Sequence, residues 1–112
     1  MTTIALITQL VASQDLSTTD TALYTAPAST VAYIGRAVFT NNGASSLTIT
    51  AGITGGGAIP SGQNIISAMT LPAGVAYVSP ELAGQAIPPG SQLRAYASAG
   101  SVNIVVSGVL QA

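Results

Sequence analysis

Apolar and polar side chains alternate along the C-terminal part of the chain, with the period of two that is typical of a half-buried β-strand. Every second residue is apolar in Gln92–Ser98, and the pattern returns in Val102–Ser107. Ala99–Gly100 separates the two stretches, and glycine adopts turn conformations at little cost. The pattern therefore predicts a β-hairpin with one apolar face. Because an isolated hairpin is only marginally stable in water, the rest of the chain is expected to supply a second layer.

A second hairpin is predicted upstream. Val31–Thr40 is long and rich in β-branched and aromatic residues, which favour strands. The strong turn signal Asn41–Gly43 follows, and Leu47–Thr54 then alternates Leu, Ile and Ala with Thr and Gly. The two stretches are expected to pair through that turn.

The remaining predicted elements are short. Good helix formers such as Glu, Lys and Arg are nearly absent, and no stretch keeps helical periodicity over three turns. Strands are expected at 2–12 with Ile4 and Leu6 inward, at 21–26, at 63–70, at 75–79 and at 91–98; a polar loop is expected at 13–20 and one helical turn at most at 80–84.

One local pattern recurs three times, at Ile59–Gly62, Leu71–Gly74 and Ile87–Gly90. Each copy has Pro second and Gly fourth, which favours a type I turn. Short strands about ten residues apart with such turns between them indicate an all-β fold, an antiparallel β-sandwich or jelly-roll-like barrel. The 112 residues are predicted to form a single domain, 1–112.

Charge changes this picture most. Charged residues make up 4% of the chain, against roughly 25% in an average soluble domain. Lysine, which commonly protects exposed strand edges, is absent, and a net charge of -1 provides little repulsion between copies. We therefore expect other subunits to cover much of the surface; the alternative is a neutral monomer coated with Ser and Thr. The five charged residues are Asp15, Asp20, Arg36, Glu81 and Arg94.

Composition also excludes several partners. Two arginines distant in sequence do not provide the cationic surface that nucleic acids or anionic membranes require. No apolar run reaches the length of about eighteen residues that a membrane span needs, and Met1–Ile4 lacks the positive region of a signal peptide. We expect synthesis in the cytoplasm, with neither nucleic acid nor membrane as a partner. The absence of Cys and His removes disulfides and most thiolate or imidazole sites.

Candidates for chemistry are few. Asp15 and Asp20 share a predicted loop and are possible Ca²⁺ ligands, but their spacing does not match an EF-hand, and turn-forming hydrogen bonds are the preferred interpretation. Gly52–Gly57 lacks the Lys and the following helix of a phosphate-binding loop. No Ser has a His or Lys to activate it. We predict no catalytic, cofactor-binding or metal-binding residue, no cofactor, no small-molecule substrate and no enzymatic activity.

Aromatic and arginine side chains have structural interpretations beside functional ones. The aromatic residues are expected to fill the core or to lie in subunit interfaces, and a sugar-stacking platform is the alternative. Arg36 and Arg94 fall within predicted strands. Each either faces solvent or pairs with a carboxylate of another subunit, and the second interpretation is preferred. The aromatic residues are Tyr24, Tyr33, Tyr77, Tyr96 and Phe39.

Several segments resemble small virion proteins of tailed bacteriophages. The Leu-Tyr-Thr-Ala-Pro-Ala run Leu23–Ala28 leads into Val31–Phe39 and the turn Asn41–Gly43, and the chain closes with Ile87–Gly108. The resemblance spans most of the chain and rests on strand and turn motifs. It carries over no functional residue.

The resemblance implies a virion structural protein, with a capsid decoration or cement protein as the first hypothesis. The implied partners are the major capsid protein and copies of this chain, as a homodimer or homotrimer, on the capsid surface of a virion made in the host cytoplasm. The first strand and residues 110–112 are the expected contacts, so deleting residues 1–12 should abolish assembly. The alternatives are a tail, neck or baseplate accessory protein and a glycan-binding module.

Overall fold

The computed structural model describes residues 5–60, 62 and 64–111, with side chains from Thr8 onward. This part of the chain contains no helix, and its strands pair only in antiparallel fashion, which confirms the predicted all-β class. The expected inward placement of Ile4 and Leu6 lies outside the described side chains. The strands are β1 Ala5–Asp15, β2 Thr21–Thr25, β3 Val31–Asn41, β4 Leu47–Thr54, β5 Ile66–Leu71, β6 Ala76–Val78, β7 Ala86–Ile87, β8 Gln92–Ala97 and β9 Val102–Gln111.

Several strands differ from the prediction: β5 begins at Ile66 rather than at residue 63, and β9 continues past Ser107 to Gln111. Strand β1 continues to Asp15, into the stretch expected to be a polar loop, because β9 supplies pairing partners as far as Asn103. Strand β7 was not predicted, since two residues are too short to show a period; it pairs with Ala32 and Tyr33 of β3.

The strands form two sheets with nested pairing. Sheet A has the order β1-β9-β3-β6, with β7 on the same side of β3 as β6, and sheet B has the order β2-β8-β4-β5. Along the chain, β1 pairs with β9, β2 with β8, β3 with β6 and β7, and β4 with β5. The chain is thus one long antiparallel ribbon rolled up about its middle, the topology of a jelly roll.

Neither predicted hairpin forms. Strands β3 and β8 lie in different sheets from β4 and β9, the strands that follow them. Strand β3 is paired with β9 on one side and with β6 and β7 on the other, so it has no free edge for β4. Alternation fixes which face of a strand is buried but not which strand pairs with it. The consecutive strands instead face each other across the core, and each supplies the second layer that the other needs.

The core lies between the sheets and is formed by the alternate positions that the pattern identified. In β8 and β9 the predicted inward residues, among them Leu93, Ile104 and Val106, are fully buried. Sheet A packs closely at Gly108, where a β-carbon would overlap the carbonyl oxygen of Tyr33. A glycine is therefore required at this point of the β3–β9 pairing.

The passage from β3 to β4 is built around Asn41, which is fully buried. Its Nδ2 donates to the carbonyl oxygens of Ser45 and Leu71, both at 3.0 Å. Its Oδ1 accepts the Gly43 N–H at 2.9 Å. The predicted turn signal is therefore a corner between the two sheets, held by one buried amide.

The recurring Pro/Gly turns start one residue later than predicted. The carbonyl oxygens of Pro72 and Pro88 accept the N–H three residues on, at 3.3 and 2.9 Å. Gly74 and Gly90 are then third in the turn, with φ of 73° and 76°. A positive φ at the third position is the requirement of a type II turn, so the type I prediction was wrong. The copy at 59–62 includes residue 61, which is outside the described residues.

Candidate functional site

An ion pair joins the loop after β1 to strand β8. Arg94 Nε donates to Asp20 Oδ1 at 2.8 Å, and its Nη2 donates to the Asp20 carbonyl oxygen at 3.2 Å. The second carboxylate oxygen accepts the N–H of Ile59 at 2.7 Å, and Gln92 accepts a further hydrogen bond from Arg94 at 2.8 Å. The exposed fraction is 14% for the Arg94 side chain and 19% for Asp20, so water screens the pair only in part.

These contacts set the charge of Asp20. Partial burial alone would raise its pKa, but the hydrogen bond from Ile59 and the guanidinium of Arg94 outweigh burial, and the pKa lies below its ordinary value of 3.8. The preferred interpretation of Arg94 as a partner for another subunit was wrong, because its carboxylate lies in the same chain. Sequence alone did not link the two residues, which are 74 positions apart.

A surface cleft of about 470 Å³ opens beside this pair. Tyr96 contributes an aromatic ring to it, and Asn64 and Ser67 contribute polar side chains. The glycine-rich stretch Gly52–Gly57 precedes the lining residue Ile59 in the chain, is exposed from Gly55 onward and leads to strand β5. The described lining residues are Asp20, Ile59, Pro60, Gly62, Asn64, Ser67 and Tyr96.

The tyrosines are dispersed over the fold. Tyr24 and Tyr77 pack partly against the core, while Tyr33 and Tyr96 lie on different sheets. They therefore do not form a shared stacking platform. Phe39 is fully buried, as expected of a core residue.

A hydrogen-bonded group surrounds Glu81 in the predicted helical turn. The turn forms: the Ala83 N–H donates to the Ser79 carbonyl oxygen at 3.4 Å, and Ser79 Oγ accepts the Leu82 N–H at 3.1 Å. Glu81 Oε1 accepts hydrogen bonds from Tyr77 at 2.5 Å and from Ser79 at 3.0 Å. The hydrogen bond to Glu81 raises the pKa of Tyr77 to about 12, with burial and the negative charge adding to it.

Two of the three exposed large apolar side chains among the described residues, Tyr33 and Val78, lie on the outer face of sheet A, and the third, Val75, lies in the turn before β6. Tyr33 is 40% exposed and Val78 is 46% exposed. Val38 pairs with Val78 on one side and with Val105 on the other, which gives a row of three valines across three strands. The sequence contained one indication of this row: Val105 is an apolar residue on the face of its strand that is otherwise polar, between Asn103 and Ser107.

Two opposite charges flank this valine row. Asp15 lies beside Asn103 and Arg36 lies beside Ser107, and both side chains are exposed. The ion pair between Asp20 and Arg94 is the one found among the described residues, so Asp15 and Arg36 have no ionic partner there. The expectation for Arg36, solvent or another subunit, stays open on this geometry.

Metal binding finds no support in the described part of the chain. Asp15 ends β1 while Asp20 is held by Arg94, and no cluster of three or more acidic, His or Cys side chains occurs in residues 5–60, 62 and 64–111. In the same residues, no helix is long and apolar enough to cross a membrane.

The strand order and the sandwich core define an all-β jelly-roll protein. Solved structures with a similar fold come from infectious bursal disease virus. For the VP2 subviral particle, the TM-score is 0.54 at 17% identity, covering 97% of this chain and 32% of the other. For the Gx strain, it is 0.50 at 17% identity, covering 99% and 33%. This chain spans about a third of the length of the proteins that it matches. No family model and no curated protein matches it.

Proposed function

We propose that this chain is a non-enzymatic structural protein of a virus particle, and more specifically a decoration protein on the capsid shell of a tailed bacteriophage. In this role residues 1–112 act as one domain that binds the major capsid protein and copies of itself on the virion surface. The observation that carries the proposal is the free edge of β1. This strand has eleven residues and, among the described residues, pairs only with β9.

An edge strand of this length usually carries protection against further pairing. Lysine and proline are the common protecting residues, and β1 contains neither. Its register with β9 is regular over Ala5–Gln9 before two irregularities interrupt it. The edge therefore offers backbone N–H and C=O groups to a strand of another protein, a common way of joining two chains.

The low surface charge supports the same proposal. Of the five charged side chains, Asp20, Arg94 and Glu81 are engaged inside the chain. Surfaces rich in Ser, Thr and Ala are buried without desolvating ions, which is the costly part of many interfaces. A repeating shell adds avidity, because many copies bind at once. The fold shared with a protein of a viral particle is in keeping with this role.

The test is binding to empty shells of the virus whose genome encodes the chain. Wild-type protein should co-sediment with the shells at a saturable ratio. Gln9→Lys, an exposed position in the regular part of β1, should weaken binding because the new charge opposes strand pairing at this edge. Ala99→Lys, in an exposed turn outside the sheets, is the matched control and should bind as the wild type does.

Failure to co-sediment would contradict the decoration role, as would equal binding by the two lysine variants. Labelling of intact virions would then decide on the tail, neck or baseplate alternative. In that case, gold-labelled antibody against the chain would mark the tail rather than the shell.

The cleft beside Asp20 favours one second candidate, a glycan-binding module. Tyr96 offers an apolar ring for a sugar face, and Asn64 and Ser67 offer polar groups for its hydroxyls. Titration with a panel of oligosaccharides, followed by NMR, should shift the Tyr96 ring signals if the cleft binds sugars. Unchanged signals at millimolar sugar would exclude this function.

A further inference from the structure

The outer face of sheet A carries one acid and one base, placed diagonally about Val105. Taking β9 as the middle strand, Asp15 lies one strand to one side, level with Asn103, and Arg36 lies one strand to the other side, level with Ser107. Val105 lies midway between these levels on β9. At about 4.8 Å between strands and about 3.4 Å per residue, the two charges are roughly 17 Å apart, with Val105 at the centre.

We propose that this face binds the same face of a second copy of the chain. A two-fold axis lying between the copies, over Val105 and perpendicular to the line joining the two charges, exchanges their positions. Arg36 of each copy then lies opposite Asp15 of the other. Such an isologous contact uses the same surface on both copies and forms two equivalent ion pairs between Asp15 and Arg36.

The area of the contact follows from this axis. Four strands give a width of about 19 Å, and the axis lies oblique to β9, so the strands of the two copies cross at roughly 70° and share about 400 Å² on each partner. This is about half of the roughly 800 Å² that each partner buries in a standard interface, so a weak dimer is expected. Val38, Val78 and Val105 supply apolar contacts at the centre; Val78 is exposed, and Val38 and Val105 are half-buried in the single chain.

Self-complementarity favours a second copy over a different protein as the occupant. A different partner would need its own acid and base placed on the same diagonal, whereas a second copy already carries them. The opposite charges also favour one register on a face whose other side chains are uncharged, since a wrong register would place like charges together or leave a charge without its partner.

Charge exchange tests the proposal on the full-length protein. Sedimentation equilibrium at low salt should find a dimer for the wild type. Arg36→Glu and Asp15→Arg should each raise the dimer dissociation constant by at least about tenfold, because each places like charges opposite one another. The double variant, Asp15→Arg with Arg36→Glu, restores opposite charges and should return the constant to within a few-fold of the wild type.

Thr70→Glu, an exposed position on β5 of sheet B, is the control and should leave the dimer unchanged. Circular dichroism of each variant identifies any that fails to fold, and Thr40→Glu, also on the sheet A face, provides a further test by weakening the dimer without touching either charge. A wild-type monomer at all concentrations would overturn the proposal, and so would a double variant no tighter than the single ones.

This inference deepens the proposed function by naming the partner of one face, and it rests on that function only for the idea that the surface is made for assembly. The two fail separately. Dimerisation without shell binding would leave the dimer standing and refute the decoration role. Shell binding by a wild-type monomer would support the decoration role and refute the dimer.

Discussion

Replacing Asn41 with alanine tests how the chain passes from one sheet to the other. The Asn41 side chain is fully buried and makes three hydrogen bonds to backbone groups, and its Oδ1 accepts a longer one from Ser101 Oγ at 3.5 Å. Asn41→Ala removes the side-chain partners of the Ser45 and Leu71 carbonyl oxygens and of the Gly43 N–H together. The backbone bonds of Asn41 itself, to Val75 and Gly74, remain.

The expected loss follows from where each orphaned group lies. A buried polar group left without a partner costs about 1–3 kcal/mol. The Leu71 carbonyl lies in the buried part of this corner and bears that full cost, whereas Ser45 and Gly43 lie where water has partial access. Counting about 2 kcal/mol for the first and about 0.5 kcal/mol for each of the others gives about 3 kcal/mol.

Urea unfolding followed by far-ultraviolet circular dichroism measures this loss. Asn42→Ala is the matched control, because the neighbouring residue is exposed and its change should stay within about 0.5 kcal/mol. Asn41→Asp keeps an acceptor for Gly43 but places carboxylate oxygen against two carbonyls, so it should cost at least as much as Asn41→Ala. Equal stabilities for the alanine variants at 41 and 42 would refute the role given to Asn41.

Three further predictions concern pH and close packing. Because the folded pKa of Asp20 is lowered, its contribution to stability is present above pH 3.8 and lost as pH falls through the folded pKa; acid-induced melting should show this loss in the wild type and not in Asp20→Asn. Because the folded pKa of Tyr77 is raised, its contribution is present below pH 10 and lost as pH rises through about 12. Phenolate absorbance should therefore show one tyrosine titrating near pH 12, and Glu81→Gln should remove that late step; a wild-type titration without it would contradict the Tyr77 assignment. Gly108→Ala should destabilise by at least about 3 kcal/mol in urea unfolding because the β-carbon overlaps backbone on β3, whereas Gly100→Ala has open space and should change little.

The sequence was sufficient to predict strands and their buried faces. In β4 and β8, each apolar position of the alternating pattern points to the core except where the strand ends, because burial depends on the residue itself. Proline and glycine likewise marked the turns, although the positive φ of Gly74 and Gly90 placed those turns one residue later than expected.

Strand partners could not be predicted in the same way. A jelly roll pairs β1 with β9 and β2 with β8, strands that are far apart in sequence. Period-two alternation is the same for a strand paired with its neighbour and for one that faces its neighbour across the core. The decisive residue was Asn41, whose burial is incompatible with a simple exposed hairpin turn, but its burial is visible only in the fold.

The valine row on sheet A could not be predicted either, because it depends on which strands pair. Val38, Val78 and Val105 are distant in sequence and form one row only because β9 and β6 lie on either side of β3. The ion pair was equally unpredictable, because Arg94 of β8 contacts Asp20 of a loop 74 positions away, and no rule of sequence spacing relates the two residues.

The distribution of five charges gives a physical reason for the two that remain exposed on sheet A. A face composed only of uncharged side chains would pack on many surfaces and in many registers with similar energy. One acid and one base, placed diagonally about Val105, penalise every register except the one that brings them opposite each other in a second copy. Adding salt should therefore weaken the dimer only modestly, since apolar contact remains, but should reduce the difference between the wild type and the single charge variants. Salt-independent differences would show that the variants act through packing rather than through charge.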